Sequence, residues 1–94
     1  MEEKFITVWK VNREKAEAAG VRMRPVADSD AMKQAHRVLS GHRESDGFSQ
    51  LAVKSLLKLS LEVLATRKEF TALFSDEEVN NALNRLLDAG YTFQ

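Results

Sequence analysis

The chain contains no cysteine among its 94 residues. No disulfide can therefore cross-link the fold, and no thiolate can act as a nucleophile or a metal ligand. A chain without cysteine fits a reducing compartment, so we expect the protein to act in the cytoplasm.

An excess of charge of one sign is also lacking, because fourteen basic residues balance fourteen acidic ones. Domains that bind nucleic acid are usually strongly basic, so the net charge does not favour that function. No apolar run approaches the roughly 20 residues that span a bilayer. The acidic start, MEEKF, lacks the basic region of a signal peptide. We expect no membrane partner.

The length and the hydrophobic content, 44%, predict one globular domain over residues 1–94. A domain of this size buries only about 60–65% of its unfolded surface, which makes its stability marginal. Burial of amphipathic helices in a homodimer would help so short a chain, so a homodimer is one option.

The N-terminal region predicts a small β element. β-branched and aromatic residues fill KFITVWKV, residues Lys4 to Val11, which favours a strand. Asn12 is then placed to cap a short helix that ends at Gly20. The alternation in GVRMRPV, residues 20–26, predicts a second short strand that Pro25 places at an edge or ends.

Three longer segments predict helices. The first is capped by Asp28 or Ser29 and ends at Gly41. The second, residues 48–68, predicts a central helix with Lys54, Lys58 and Glu62 on one line that faces water. The fold class that follows is α+β, mainly helical, with three principal helices and a short N-terminal β element.

The third helix has the clearest limits. Ser75 and Glu78 have the spacing of a capping box, Phe74 and Val79 that of a hydrophobic staple, and Gly90 marks the end. The expected apolar stripe is Val79, Ala82, Leu83, Leu86 and Leu87.

A helix-loop-helix followed by LLDAGYTF resembles part of a winged-helix domain over residues 50–94. That resemblance implies contact with DNA. From Glu69 to Gln94, however, five residues are acidic and only Arg85 is basic, whereas a helix that enters a groove needs cations facing phosphate. We therefore predict that this helix closes the core, and that asparagines on its polar face, Asn81 among them, are available to a protein partner.

Positive charge does gather between residues 22 and 43. Nucleic-acid or anion binding by this segment is the alternative function, and it would use Arg22, Arg24, Lys33, Arg37 and Arg43. The competing interpretation is a solvated face together with ordinary edge-strand charges that prevent aggregation.

No catalytic or metal site is predicted. His36 and His42 are six residues apart and separated by a helix end, which is not the spacing of a helical ligand pair. Ser40 or Ser49 with His42 is the only serine–histidine proximity, and nothing in the sequence supplies an oxyanion site. We expect no catalytic residue, no metal and no cofactor.

Aromatic residues offer a further way to bind a partner. In a strand of a small domain, Trp9 is usually part of the core, but tryptophan is also enriched at binding hot spots. Tyr91 and Phe93 in the C-terminal tail have the same two interpretations: they pack on the core, or they contact a second chain. The residues that we predict for contact with a protein partner are Trp9, Arg37, Arg43, Asn81 and Arg85.

Two phrases, GHRESDGFSQLA and LFSDEEVNNALNRLLDAGY, resemble small accessory proteins of the early regions of lambdoid phages and prophages. Some proteins of that group block or redirect host recombination nucleases and other host machinery. The resemblance implies a non-enzymatic regulator or inhibitor that acts by binding a host or phage protein. It assigns no role to any residue of this chain.

Overall fold

The first element of the chain is a 17-residue helix, α1 (Glu2–Ala18), in a computed structural model that describes residues 1–92. The predicted strand at Lys4–Val11 is therefore wrong, and Asn12 lies inside the helix instead of capping it. Phe5, Trp9 and Ala16 are the buried residues of α1, and their spacing has the period of a helix. Thr7, which a strand would place on the same face as Phe5 and Trp9, is exposed and donates to the Glu3 carbonyl at 3.0 Å.

Residues 21–27 have no regular secondary structure and pair with no strand, so the second predicted strand is wrong as well. A ladder needs a neighbouring strand, and the helical state of α1 removes it. Residues 1–92 contain no strand at all, which corrects the fold class from α+β to all-α. Gly20 does end the first helix in the left-handed conformation, with φ 88°.

The second helix, α2 (Ala31–Ser40), follows a 3₁₀ turn at Asp28–Asp30 and ends at Gly41, as predicted. Neither Asp28 nor Ser29 caps it, because the start of α2 has no side-chain cap hydrogen bond.

The predicted central helix at residues 48–68 is three pieces: α3 (Phe48–Val53), a 3₁₀ turn (Leu57–Leu59) and α4 (Leu61–Thr66). Ser55 has φ 60°, which breaks the helix, and the Ser60 hydroxyl starts α4 by accepting from the Val63 amide at 3.2 Å. Because the break interrupts the helical period, Glu62 does not continue the exposed line of Lys54 and Lys58. It is fully buried, contrary to prediction.

The last helix, α5 (Asp76–Asp88), begins as predicted. Ser75 Oγ accepts from the Glu78 amide at 3.1 Å, and Glu78 Oε1 accepts from the Ser75 amide at 2.8 Å. Gly90 follows with φ 79°. Leu87, expected in the apolar stripe, is 62% exposed. No strand for a wing occurs within residues 1–92, and Phe93 lies outside the described residues.

One half of the core joins α1, α2, α4 and α5 around an aromatic group. The Phe5 ring lies 5.4 Å from that of Phe70 and 5.2 Å from that of Phe74, both edge-on, a preferred geometry for aromatic pairs. Phe74 and Val79 both pack in this cluster, as expected for a staple.

The other half of the core is built where three helices end. After each of α1, α3 and α5, the chain turns back in a Schellman motif, in which an amide bonds a carbonyl five residues earlier. These bonds are Val21 to Ala16 at 2.9 Å, Leu56 to Leu51 at 2.7 Å and Tyr91 to Leu86 at 2.9 Å. All six residues belong to one apolar cluster, so the three helix ends stabilise one another.

Among the described residues, no helix is long and apolar enough to cross a membrane.

Candidate interaction site

A buried ion pair lies between α4 and α5. Glu62 Oε2 accepts from Arg85 Nη1 at 3.2 Å, and the Arg85 side chain is only 10% exposed. The same carboxylate accepts from the amide and the hydroxyl of Ser45, at 2.9 and 2.5 Å. Because buried charge is costly unless it is paired and hydrogen-bonded, these contacts explain how Glu62 is accommodated in the core.

Arg85 and Asn81 also close the C-terminal end of α2. Arg85 Nη2 donates to the carbonyls of Val38 and Gly41, at 3.1 and 2.8 Å, and Asn81 Nδ2 donates to that of Leu39 at 2.9 Å. The last carbonyls of a helix have no partner within it, and a cation there suits the helix dipole. Both residues, predicted as partner contacts, therefore have their side chains engaged within the fold.

The hydrogen bonds of Arg85 and Glu62 also hold the loop between α2 and α3, residues 41–47. Arg85 holds its start at Gly41, and Glu62 holds its middle at Ser45. At its end, Gly47 has φ 77°, and a Cβ there would lie 2.8 Å from Val21 Cγ1. Hydrogen bonds therefore hold the loop at Gly41 and Ser45, and Gly47 leaves no room for a side chain next to Val21.

A cleft of about 290 Å³, here called the Trp9 cleft, lies on one side of this loop. α1, the irregular segment 23–27, α2 and the loop form its walls. The residues that line it are Trp9, Arg13, Met23, Arg24, Pro25, Val26, Ala27, Asp30, Gln34, Val38, Glu44, Ser45, Asp46 and Leu61. Most of the apolar members belong to the core or pack on it, so the cleft reaches the protein's interior.

Trp9 and Arg13 form one wall of the cleft. The Arg13 guanidinium carbon lies 4.8 Å from the centre of the Trp9 ring, a cation–π contact. Arg13 Nη1 donates to the Val26 carbonyl at 3.4 Å, while the buried Nε has no hydrogen-bond partner. Burial lowers the pKa of Arg13, although the carboxylates of Asp28, Glu14 and Glu17 oppose that shift. Trp9 itself, predicted as core or partner contact, is 7% exposed and packs in the core.

Three carboxylates stand at the rim of the cleft, on Asp30, Glu44 and Asp46. Asp46 has Arg24 at 3.9 Å, in a pair whose arginine side chain is 89% exposed. Within residues 1–92, no ion pair involves Asp30 or Glu44. Asp30 and Glu44 therefore give the rim negative charge that has no ionic partner within the described residues.

The five cations of segment 22–43 are spread over several surfaces. Arg24 lies at the Trp9 cleft, while Arg22 and Arg43 line an open depression on the other side of the loop, together with Glu44, Asp46 and Asp88. Lys33 and Arg37 are exposed on α2.

His36 links α2 to α5. Its Nδ1 lies 2.8 Å from Glu78 Oε2, and its ring lies 5.1 Å from that of Phe74. Burial acts to raise the pKa of Glu78, but hydrogen bonds from the Ser75 amide and His36 outweigh it and lower that pKa. Nowhere in residues 1–92 do three or more histidine or carboxylate side chains group as metal ligands.

Among the residues that line the cleft, Trp9 and Arg24 were predicted from the sequence as binding residues; the others, including Arg13, Asp30 and Glu44, were not. The spacing of Trp9 and Arg13, four apart, would have paired them, but only on a helix.

No protein-family model, curated protein or solved structure matches this chain.

Proposed function

We propose that this protein is a small non-enzymatic interaction module, a cytoplasmic regulator or inhibitor that binds another protein through the Trp9 cleft. The observation that carries the proposal is the cleft itself, which has a tryptophan in its wall, an apolar interior and carboxylates at its rim. Interfaces concentrate their binding energy where an anchor side chain enters such a pocket.

The fixed loop 41–47 adds to the support. A surface that is already ordered loses less conformational entropy when it binds. Loop 41–47 is held by hydrogen bonds from Ser45 to Glu62 and from Arg85 to Gly41, and it supplies Glu44, Ser45 and Asp46 to the cleft. The resemblance to phage accessory proteins makes a bacterial or phage protein the first partner to test.

Nucleic-acid binding receives less support. A backbone-binding surface needs cations that face the phosphates together, but carboxylates stand among Arg22, Arg24 and Arg43.

The proposal is tested by affinity capture from a bacterial lysate, with a variant that fills the mouth of the cleft. Ala27 is exposed and lines the cleft, so Ala27→Phe places a ring there without altering the core. Ala18→Phe is the matched control, because Ala18 is exposed on α1 and does not line the cleft.

We expect one protein to be retained by the natural chain and by Ala18→Phe, with and without nuclease treatment, and lost with Ala27→Phe. Equal retention of the partner by both variants would show that the Trp9 cleft is not the binding site. Retention that disappears after nuclease treatment would favour nucleic acid instead.

A further inference from the structure

We infer that the Trp9 cleft takes a lysine side chain of the partner protein. The inference rests on the proposed function and adds the chemistry of the group that is bound. It depends on the shape, the lining and the charge of the cleft.

The interior of the cleft suits an aliphatic stem. Val26, Val38 and Leu61 line it beside the Trp9 ring, and Leu61 is only 2% exposed. Lysine and arginine bury their methylene stems along apolar surface and keep the charged head in water. A side chain that enters between α1 and α2 would lay its stem on these residues.

The size indicates a single side chain. Pockets for small-molecule ligands range from about 300 to 1,000 Å³, and this cleft, at about 290 Å³, falls at the lower limit. A protruding side chain of a protein needs no more room, because the rest of the partner lies on the surface around the mouth.

The rim selects a positive head group. Asp30 and Glu44 have no ionic partner within residues 1–92, and Asp46 has only the loose pair with Arg24. Arg13, the other cation of the cleft, lies over the Trp9 ring. Its positive charge is attracted by the carboxylates of Asp28, Glu14 and Glu17. The charge left unbalanced at the mouth is therefore negative. The unpaired Nε of Arg13 does not change this conclusion, because it is buried and out of reach of a ligand.

The test uses Trp9, the single tryptophan, as a fluorescent reporter in the cleft. Three blocked tripeptides, Gly-X-Gly with X lysine, norleucine or glutamate, are titrated into the full chain, together with pentylamine as a free amine. We expect the lysine peptide to shift the Trp9 emission in a saturable way. The norleucine peptide, with the same stem and no charge, should bind roughly fivefold more weakly, and the glutamate peptide should not bind.

A double variant, Asp30→Asn with Glu44→Gln, should reduce the affinity for the lysine peptide to that for the norleucine peptide. Asp88→Asn is the control, since Asp88 is exposed and does not line the cleft. Thermal unfolding of each variant shows whether it remains folded.

Each contrary result overturns the inference. Equal binding of the lysine and norleucine peptides, or tighter binding of the glutamate peptide, would refute the positive head group. Tighter binding of pentylamine than of the lysine peptide would indicate a free amine as ligand. No response to any peptide would show that the cleft does not bind a lysine side chain. The capture experiment with Ala27→Phe decides the proposed function independently of these outcomes.

Discussion

Arg85 joins three partners through one side chain. Its guanidinium contacts the Glu62 carboxylate and the carbonyls of Val38 and Gly41. The planar guanidinium with its five donors makes arginine suitable for such a site, whereas the ammonium of lysine has three donors on one nitrogen.

We predict that Arg85→Ala destabilises the protein by about 3–5 kcal/mol, because Glu62 would remain buried without its cation. Denaturant unfolding measures this loss. Lys4→Ala is the comparison, since Lys4 contacts Glu69 at 2.8 Å in an exposed pair, and exposed pairs contribute about 0–1 kcal/mol. Similar losses for the two variants would contradict a structural role for Arg85.

Glu78 should make the stability depend on pH. Its pKa is lowered in the folded protein, so its contribution is present above the ordinary glutamate pKa and is lost as the pH falls through the folded value. The difference in unfolding free energy between the natural chain and Glu78→Gln should therefore be larger at neutral pH than near pH 3. Glu77→Gln, at the exposed neighbouring position, is the control for loss of a carboxylate at the start of α5. A constant difference for Glu78→Gln across this range would refute the prediction.

At the scale of elements, Gly47 joins loop 41–47 to α3. Alanine there would meet both a left-handed backbone and Val21 Cγ1 at 2.8 Å. We predict a loss of roughly 2–4 kcal/mol for Gly47→Ala, the sum of backbone strain and overpacking. Gly90→Ala isolates the strain, because Gly90 has φ 79° and no atom within 4 Å of the added Cβ. Equal losses in thermal or denaturant unfolding would show that the contact with Val21 is unimportant.

The elements also show where sequence alone succeeds. The start of α5 was predictable because the capping box is local, and Ser75 and Glu78 complete it with each other. The helical conformation of α1 was not predictable. β-branched residues at 6, 7 and 8 favour a strand, while Phe5, Trp9 and Ala16 follow the helical period. Packing of these three residues in the core decides it, as tertiary context often overrides propensity.

The break in the predicted central helix has a similar cause. Ser55 adopts a conformation that favours glycine, and the turn it allows brings Leu56 back to Leu51 in the apolar cluster. A serine in this conformation leaves little trace in the sequence. The burial of Glu62 follows from that turn, and its partners Ser45 and Arg85 are 17 and 23 residues away.

At the scale of the whole molecule, the candidate site depends on contacts between distant segments. Residues of α1, α2, loop 41–47 and segment 23–27 meet only in the folded chain. The sequence predicted a binding protein from its balanced charge, but it predicted Asn81 and Arg85 as contacts where the fold uses both within itself. Among the predicted partner contacts, Arg37 and Arg43 are exposed.

The most direct test of the account is hydrogen–deuterium exchange of the protein alone and with the partner recovered by affinity capture. We predict that the partner slows exchange in residues 23–30 and 41–47, which form the mouth of the Trp9 cleft. Protection confined to the exposed side of α5, or to residues 33–37 of α2, would contradict the account, because binding would then occur on another surface.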